Sequence, residues 1–573
     1  MEAQFARSAY GHFLIWGVCS SLGVTVSTLV DAVLIGNIVG SNGLAVANIA
    51  TPVFLVYSLF GLTIGVGANI LIGRRLGAAD VDEANRVFNA QVFTGAVIGL
   101  SCLVFSVLLQ DEICQFLGAK EALLPLGKQY LTVVFYSAPL FVLYHILAVS
   151  VRTDGDPKLA AISSATVILT NLSLDILFMV ILGWGIFGAA VSLCIAEALG
   201  MAVLLLHFTK KYALLRFRLS FPRLADVRYF VVNGFGVGSA SIFQAAVIFV
   251  FNILLLAHGT GQGVMHVAIF GVIYTMSMIP FAVFDGAGSA IATVVSIFAG
   301  EKDGKSMLTV LGQGIKIVSL AGVLVTVVFL LGAGEIVRFF GIAGDTALST
   351  ATLAFRVFTA SILFAGINTV VTAFWQALGR ARLAGAMSVL RNFILLLALG
   401  FALIPGYHII GLSVAFVCSE AICLLGILPV LLFRSSKSYV AQKFQFANRV
   451  HEKYYTIHTG SIAQVSVDLG QLCGDWKISS KKAFFINLIV EELILNIIKF
   501  GLKDKGKKHY ISIKLLDNGG EYIIRIRDNV STYNPFDSSG DEIDRAAIKI
   551  ITTKAKYYDY QRKLIFNYLY LII

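Results

Sequence analysis

Over its first three quarters the chain gathers apolar residues into long runs separated by short polar breaks. A helix needs about 20 consecutive apolar residues to cross the hydrocarbon layer of a bilayer, and about twelve runs meet that length. They begin near Phe13, Ala50, Phe88, Leu131, Leu159, Ile186, Tyr229, Met265, Gln313, Thr352, Leu383 and Ile409. Beyond Arg434 the pattern becomes mixed and charged. There, strand-like alternation at 454–460, a helix through Val465 and Leu469, an amphipathic helix at 480–500 and strands at 510–516 and 522–528 predict a small α+β two-layer sandwich.

The apolar part repeats itself. Gly77 and Asp80 reappear as Gly300 and Asp303, the segment 183–188 (GWGIFG) as 406–411 (GYHIIG), and Glu197 as Glu420, all at an offset of 223; Gly155 reappears as Gly379 at 224. Constant spacing across several marks indicates duplication, and two similar bundles are a common way to build a cavity that opens alternately to either side of a membrane. The expected fold is therefore an all-α polytopic membrane protein. Twelve transmembrane helices form two six-helix repeats, at 1–215 and 216–434, followed by a linker at 435–450 and a cytoplasmic α+β domain at 451–573.

Composition supports this class. The chain has 57% hydrophobic and only 13% charged residues, with mean hydropathy +0.84, whereas about 25% charged is usual for soluble domains. The first run is longer than a signal-peptide core and reads as a retained span. Arg74, Arg75, Arg152, Lys158, Lys302, Lys305, Arg380, Arg382, Arg434 and Lys437 fall in loops on one side, which places both termini in the cytoplasm. The net charge of +11 then expresses topology, not nucleic-acid binding. The seven cysteines and nine histidines show no metal-binding spacing.

Ionisable groups inside apolar runs cost about 2.5–3.5 kcal/mol each on insertion scales and demand a reason. Asp31 and Asp175 fall at a similar depth, roughly 10–12 Å from the outer end of their helices at 1.5 Å per residue. Asn171 lies four residues before Asp175 and so shares its face. Facing carboxylates can take up protons, and a carboxylate–amide cluster can equally hold Na+ through oxygen ligands. At the repeat offset Asp31 and Asp175 meet Leu254 and Ala398, so this chemistry belongs to the first half alone. Glu197 and Glu420, equivalent by symmetry, read as packing or helix-bonding groups, and Asp285 as a further intramembrane acid. Gln244, Asn252, Tyr274 and Asn368 are candidate cavity contacts for a cargo.

Over residues 8–434 these features resemble the multidrug and toxic compound extrusion (MATE) family. The resemblance rests on 29–36 (LVDAVLIG), 75–78 (RLGA), 155–158 (GDPK), and Asn171 with Asp175 followed by the Gly-x-Gly-x-x-Gly-Ala-Ala segment from Gly183. It implies export of organic, often cationic, compounds and other xenobiotics in exchange for Na+ or H+, with Asp31, Asn171 and Asp175 as the ion site and no cofactor required. A hydroxyl residue often found in the Gly-Ala-Ala-x-x-Thr segment is Leu193 here, with Ser192 one place earlier, which leaves the ion open.

The tail resembles the ATP-binding fold of histidine kinases and anti-sigma-factor serine kinases. That resemblance implies Asn496 as a Mg2+ ligand, Glu492 as a general base and Asp528 as the partner of adenine. Val530 stands where those proteins usually have glycine, and 541–547 (DEIDRAA) replaces the glycine-rich phosphate lid, so a degenerate regulatory module that contacts a cytoplasmic protein is the favoured reading over ATP binding or serine/threonine kinase activity. A lipid or glycan-lipid flippase of similar architecture, meeting membrane lipid as cargo, and a sensor kinase acting through the tail are the alternatives.

Overall fold

The computed structural model describes residues 2–38, 41–117, 123–218, 220–258, 262–342, 344–432, 440, 449–457, 461–502, 509–536 and 542–573. It divides into two compact units. One comprises Tyr10–Lys210 and Leu215–Lys443, and the other Met1–Ala9, Lys211–Leu214 and Phe444–Ile573.

The larger unit is helical. Its first half holds α1 (Glu2–Ile38), α2 (Ser41–Gly77), α3 (Val81–Leu108), α4 (Gln110–Phe116), α5 (Leu123–Tyr136), α6 (Ala138–Thr153), α7 (Pro157–Asp175) and α8 (Gly185–Leu205). The second holds α9 (Leu224–Gly238), α10 (Ala240–His258), α11 (Gly263–Gly300), α12 (Gly304–Phe339), α13 (Asp345–Ala377), α14 (Ala381–Val389) and α15 (Leu395–Leu432). The polar marks of the repeat start helices. Asp80 accepts from the Glu83 amide and caps α3, and its mate Asp303 accepts from the Ser306 amide and caps α12. Asp156 caps α7, with Pro157 in the first turn where its missing N–H costs nothing.

Among the described residues, ten helices are long and apolar enough to cross a membrane, or eleven if α5 and α6, bent by 49°, form one broken span. The sequence suggests twelve. The difference lies in the stretch Ala381–Gly426, 46 residues taken as a single span, which contains the last two apolar runs. At 1.5 Å per residue it is about twice as long as a bilayer core is thick, and it breaks at His408, where the backbone leaves helical geometry.

Two glycines of the repeat explain how closely the halves approach. A β-carbon on Gly77 would lie 2.0 Å from the Ile297 carbonyl oxygen, and one on Gly300 would lie 2.0 Å from that of Arg74. Only hydrogen fits at either position. Arg74 reinforces the contact, donating from Nη2 to the Ala377 carbonyl at 2.7 Å. The halves thus close on each other at this end.

In the smaller unit, β1 (Val450–Thr456), α16 (Ser461–Asp475), α17 (Ser480–Asn496), β2 (Tyr510–Asn518), β3 (Glu521–Asp528), α18 (Glu542–Lys554), β4 (Tyr557–Lys563) and β5 (Phe566–Ile572) form an antiparallel five-stranded sheet, ordered β1-β2-β3-β5-β4. Alternate strand residues, Ile511, Ile513, Leu515, Ile524, Ile526, Leu569 and Leu571, make one core with Ile486, Ile489, Val490 and Leu493 of α17. The nine N-terminal residues belong to this unit. Phe5 meets Phe566 edge-on, centroids 5.0 Å apart, with the Arg527 guanidinium 4.7 Å from its ring.

Candidate functional site

The first half brings together one carboxylate, one amide and one hydroxyl. Asn171 Nδ2 donates to Asp175 Oδ2 at 3.1 Å, one turn apart on α7. Ser192 Oγ of α8 donates to the other carboxylate oxygen, Oδ1. All three residues are buried. Immediately after Asp175 the helix widens into a π-turn, Ile176–Ile181, a distortion frequent at functional positions. Ser192 supplies the hydroxyl absent from Leu193. Sequence spacing could not assign it to Asp175, because the pairing depends on how α8 is turned toward α7. Asp31 falls on α1, but its side chain lies outside the described residues. Carboxylate, amide and hydroxyl oxygens away from water form a donor set that fits either a proton on Asp175 or a small hard cation.

The second half has a cavity of about 180 Å³. It is walled by aromatic rings, among them Phe270, Tyr274, Phe281 and Phe416, and by the polar groups Gln244, Asp285, Arg391 and Glu420. Arg391 Nε lies 2.9 Å from Glu420 Oε1, with both side chains nearly buried. Asn368 Nδ2 donates to Glu420 Oε2 at 2.7 Å, and Arg391 Nη1 to Thr369 Oγ1 at 3.2 Å. Glu420 is therefore neutralised and held from two sides. Asp285 is not. Its side chain opens to the cavity, and among the described residues it makes no hydrogen bond or ion pair, although Arg391 is near enough to act on it electrostatically.

The structure separates residues that the sequence groups together. Gln244 and Tyr274 line the cavity, Asn368 stands behind Glu420, and Asn252 is not among the lining residues. Glu197 and Glu420 were expected to be equivalent, yet Glu197 is buried and its Oε2 has no hydrogen-bond partner among the described residues. Arg391, which neutralises Glu420, corresponds to Ile168 at the repeat offset, so that position supplies no cation to Glu197. Arg391 was missed, although a lone arginine inside an apolar run was a visible signal.

In the tail, Asn496 is buried with Nδ2 on the Glu492 backbone carbonyl at 2.9 Å. Asp528 ends β3, buried, and Oδ1 accepts from the Val530 amide at 3.0 Å and from Asn567 Nδ2 at 2.7 Å. Burial pushes its carboxyl up to about 6, against the lowering effect of those two donors. One of the two oxygens of the carboxylate expected to meet adenine is thus engaged by donors of the domain itself. Val530 packs into the gap left by Gly501, whose added β-carbon would lie 2.5 Å from Val530 Cγ2. In the phosphate-lid region, Asp541 and the side chains of 542–545 lie outside the described residues.

Two segments, residues 18–177 and 240–402, match the MatE family and together cover more than half of the chain. The chain belongs to the MatE family. It is 24% identical over 423 residues to the multidrug export protein MepA of Staphylococcus saprophyticus, covering 73% of this chain and 92% of that protein. MepA of Staphylococcus aureus is 24% identical over 424 residues, again covering 73% and 92%. Among solved structures, an outward-facing multidrug resistance MATE transporter of the MOP superfamily superposes with a TM-score of 0.70 at 18% identity, over 76% of this chain and 96% of that one. A MOP superfamily transporter from Pyrococcus furiosus superposes with a TM-score of 0.68 at 18% identity, over 77% and 97%. The chain is an integral membrane protein with the MATE fold, and the family match ends before the α+β tail.

Proposed function

We propose that this chain is a secondary active exporter of organic, often cationic, compounds and other xenobiotics, driven by inward Na+ or H+. The observation that carries this reading is the buried Asp175–Asn171–Ser192 cluster, a carboxylate with oxygen-bearing neighbours inside a membrane bundle. Asp31, Asn171 and Asp175 are read as the ion site, with Ser192 added. The Asp285 cavity in the other half is read as the cargo site: aromatic faces and an unpaired carboxylate suit a flat organic cation. Ion and cargo would bind in different halves and compete through the opening and closing of the Gly77–Gly300 contact. A flippase cavity for anionic headgroups would need free positive charge, but the cationic group of this cavity, Arg391, is paired with Glu420.

The reading includes twelve crossings, the last two divided at His408, with both termini in the cytoplasm of a bacterial cell. The tail is read as a degenerate member of the histidine-kinase-like ATPase fold that contacts a cytoplasmic regulatory protein. The engagement of Asp528 Oδ1 inside the domain and Val530 in place of a glycine favour this over ATP binding.

Proteoliposomes loaded with ethidium, with Na+ and proton gradients imposed separately, test the exporter. One gradient should drive ethidium movement, and Asp175→Asn should reduce it by about a hundredfold, as expected when a coupling carboxylate loses its charge inside the membrane. Equal transport by Asp175→Asn would sink the ion site, and no gradient-driven movement by the unmodified chain would sink the exporter.

A further inference from the structure

One pair of side chains belongs to neither site. His408 stands at the break in α15 with φ 50° and ψ −126°. Side chains avoid this region, at a cost of about 1–3 kcal/mol, whereas glycine enters it freely. The duplication shows why a positive φ occurs here: the mate of His408 is Gly185, with φ 54°. Both halves carry a positive φ at the same place. The first carries it on glycine, and the second keeps it and puts an imidazole there.

That imidazole has a partner. His266, at the start of α11, is 4% exposed, and its ring stacks on that of His408 with centroids 5.3 Å apart and planes inclined by 18°. Nδ1 of each ring is buried with no hydrogen-bond partner among the described residues. An orphaned buried nitrogen is uncommon and marks a place where a proton, ion or water acts. The mate of His266 is Gly43, so the pair exists in the second half alone.

Other charges near this end of the second half are few or already engaged. The titratable group acting on His266 is His408. From α10, His258 has Nδ1 on the Leu254 carbonyl at 3.1 Å. At the end of α12, Glu335 and Arg338 pair with each other at 2.9 Å, and Asp345 at the start of α13 is exposed. Among the described residues no carboxylate pairs with either imidazole.

We propose that His266 and His408 form a proton-operated latch at the end of α11 opposite Gly300, holding the break of α15 against α11 while both rings are neutral. Protonation of both rings places like charges face to face at the stack, and the strained backbone at His408 then favours release. The latch is closed while both rings are neutral and opens when they take up protons. The inference goes beyond the exporter reading, because it requires no particular coupling ion and is tested without transport.

Hydrogen–deuterium exchange of the full chain in lipid nanodiscs, read on peptides across residues 403–412 and corrected for intrinsic rates, tests it. The unmodified chain should lose protection by at least about tenfold between about pH 8 and about pH 5, since stacked histidines hold the segment only when neutral. His408→Gly should fold, because Gly185 holds the same φ in the first half, and should melt at or above the temperature of the unmodified chain at high pH. His408→Gly and His266→Gln should each show the same protection at both pH values, whatever its level. A pH-independent segment in the unmodified chain, or a pH response retained by His408→Gly, would overturn the latch.

Discussion

The two halves of the bundle share a chain path and treat buried charge in opposite ways. In the first, Asp175 is enclosed by neutral donors, Asn171 and Ser192, in a tight cluster. In the second, Arg391, Glu420 and Asp285 surround an open cavity, two of them neutralising each other and the third unpaired. Duplication supplied the scaffold twice, down to the Asp80 and Asp303 caps and the Gly77–Gly300 contact. The chemistry differs at single positions of that scaffold: at the repeat offset Asp175 corresponds to Ala398, Arg391 to Ile168 and His408 to Gly185. A closed cluster suits a proton or small ion, and an open aromatic cavity suits a larger cargo.

The largest effect should come from breaking the balance of the second half. Arg391→Met leaves Glu420 as a buried charge without its cation and should lower stability by about 3–5 kcal/mol, the usual result of removing one partner of a buried pair. The double variant Arg391→Met with Glu420→Gln should recover most of that loss. Thermal unfolding in detergent measures both; an unchanged Arg391→Met would mean that the pair does not hold α15 in place.

A smaller effect distinguishes cargo from ion. Asp285→Asn should weaken ethidium binding by about tenfold, or ~1.4 kcal/mol, while leaving its gradient dependence in place. Fluorescence anisotropy on the purified chain reads the first and proteoliposome flux the second. If Asp285→Asn abolished gradient dependence with affinity intact, the assignment of the two halves would have to be exchanged.

A further contrast lies in the tail, where a carboxylate is buried for structure. The Asp528 carboxyl, raised to about 6 in the folded domain, stands above its unfolded value of about 3.9. A raised value means that the favourable contribution is complete below about pH 4 and is lost as pH rises through 6. Asp528→Asn does not titrate and should therefore stabilise the tail above pH 6, by at most about 3 kcal/mol, with the gain disappearing below about pH 4. Chemical denaturation of the full chain, followed by Trp476 fluorescence in a background with Trp16, Trp184 and Trp375 replaced by Phe, measures this. Destabilisation at neutral pH would mean that the Asn567 bond requires the charged form.

The apolar runs, the repeat offset, the helix-starting aspartates and the Asn171–Asp175 face were legible in the sequence, because each depends on spacing within one helix. The same holds for α16, α17, β2 and β3, whose alternation or amphipathic period lies within the element, whereas β1 begins four residues before the strand expected at 454–460. The hairpin β4–β5 and helix α18 were not anticipated. The equivalence expected of Glu197 and Glu420 failed because a repeat offset compares positions and not their surroundings.

By itself, then, the sequence determined the class, the duplicated plan and the tail's α+β character, since hydrophobic period and length decide whether a segment crosses a bilayer or packs on a sheet. Tertiary structure alone decided that Ser192 serves Asp175, that Arg391 silences Glu420 while Asp285 stays open, that Asn567 occupies Asp528, and that His266 meets His408. Each of these depends on how one element is rotated against another. The 3.6-residue period shows which residues share a face of their own helix, but not what that face will touch.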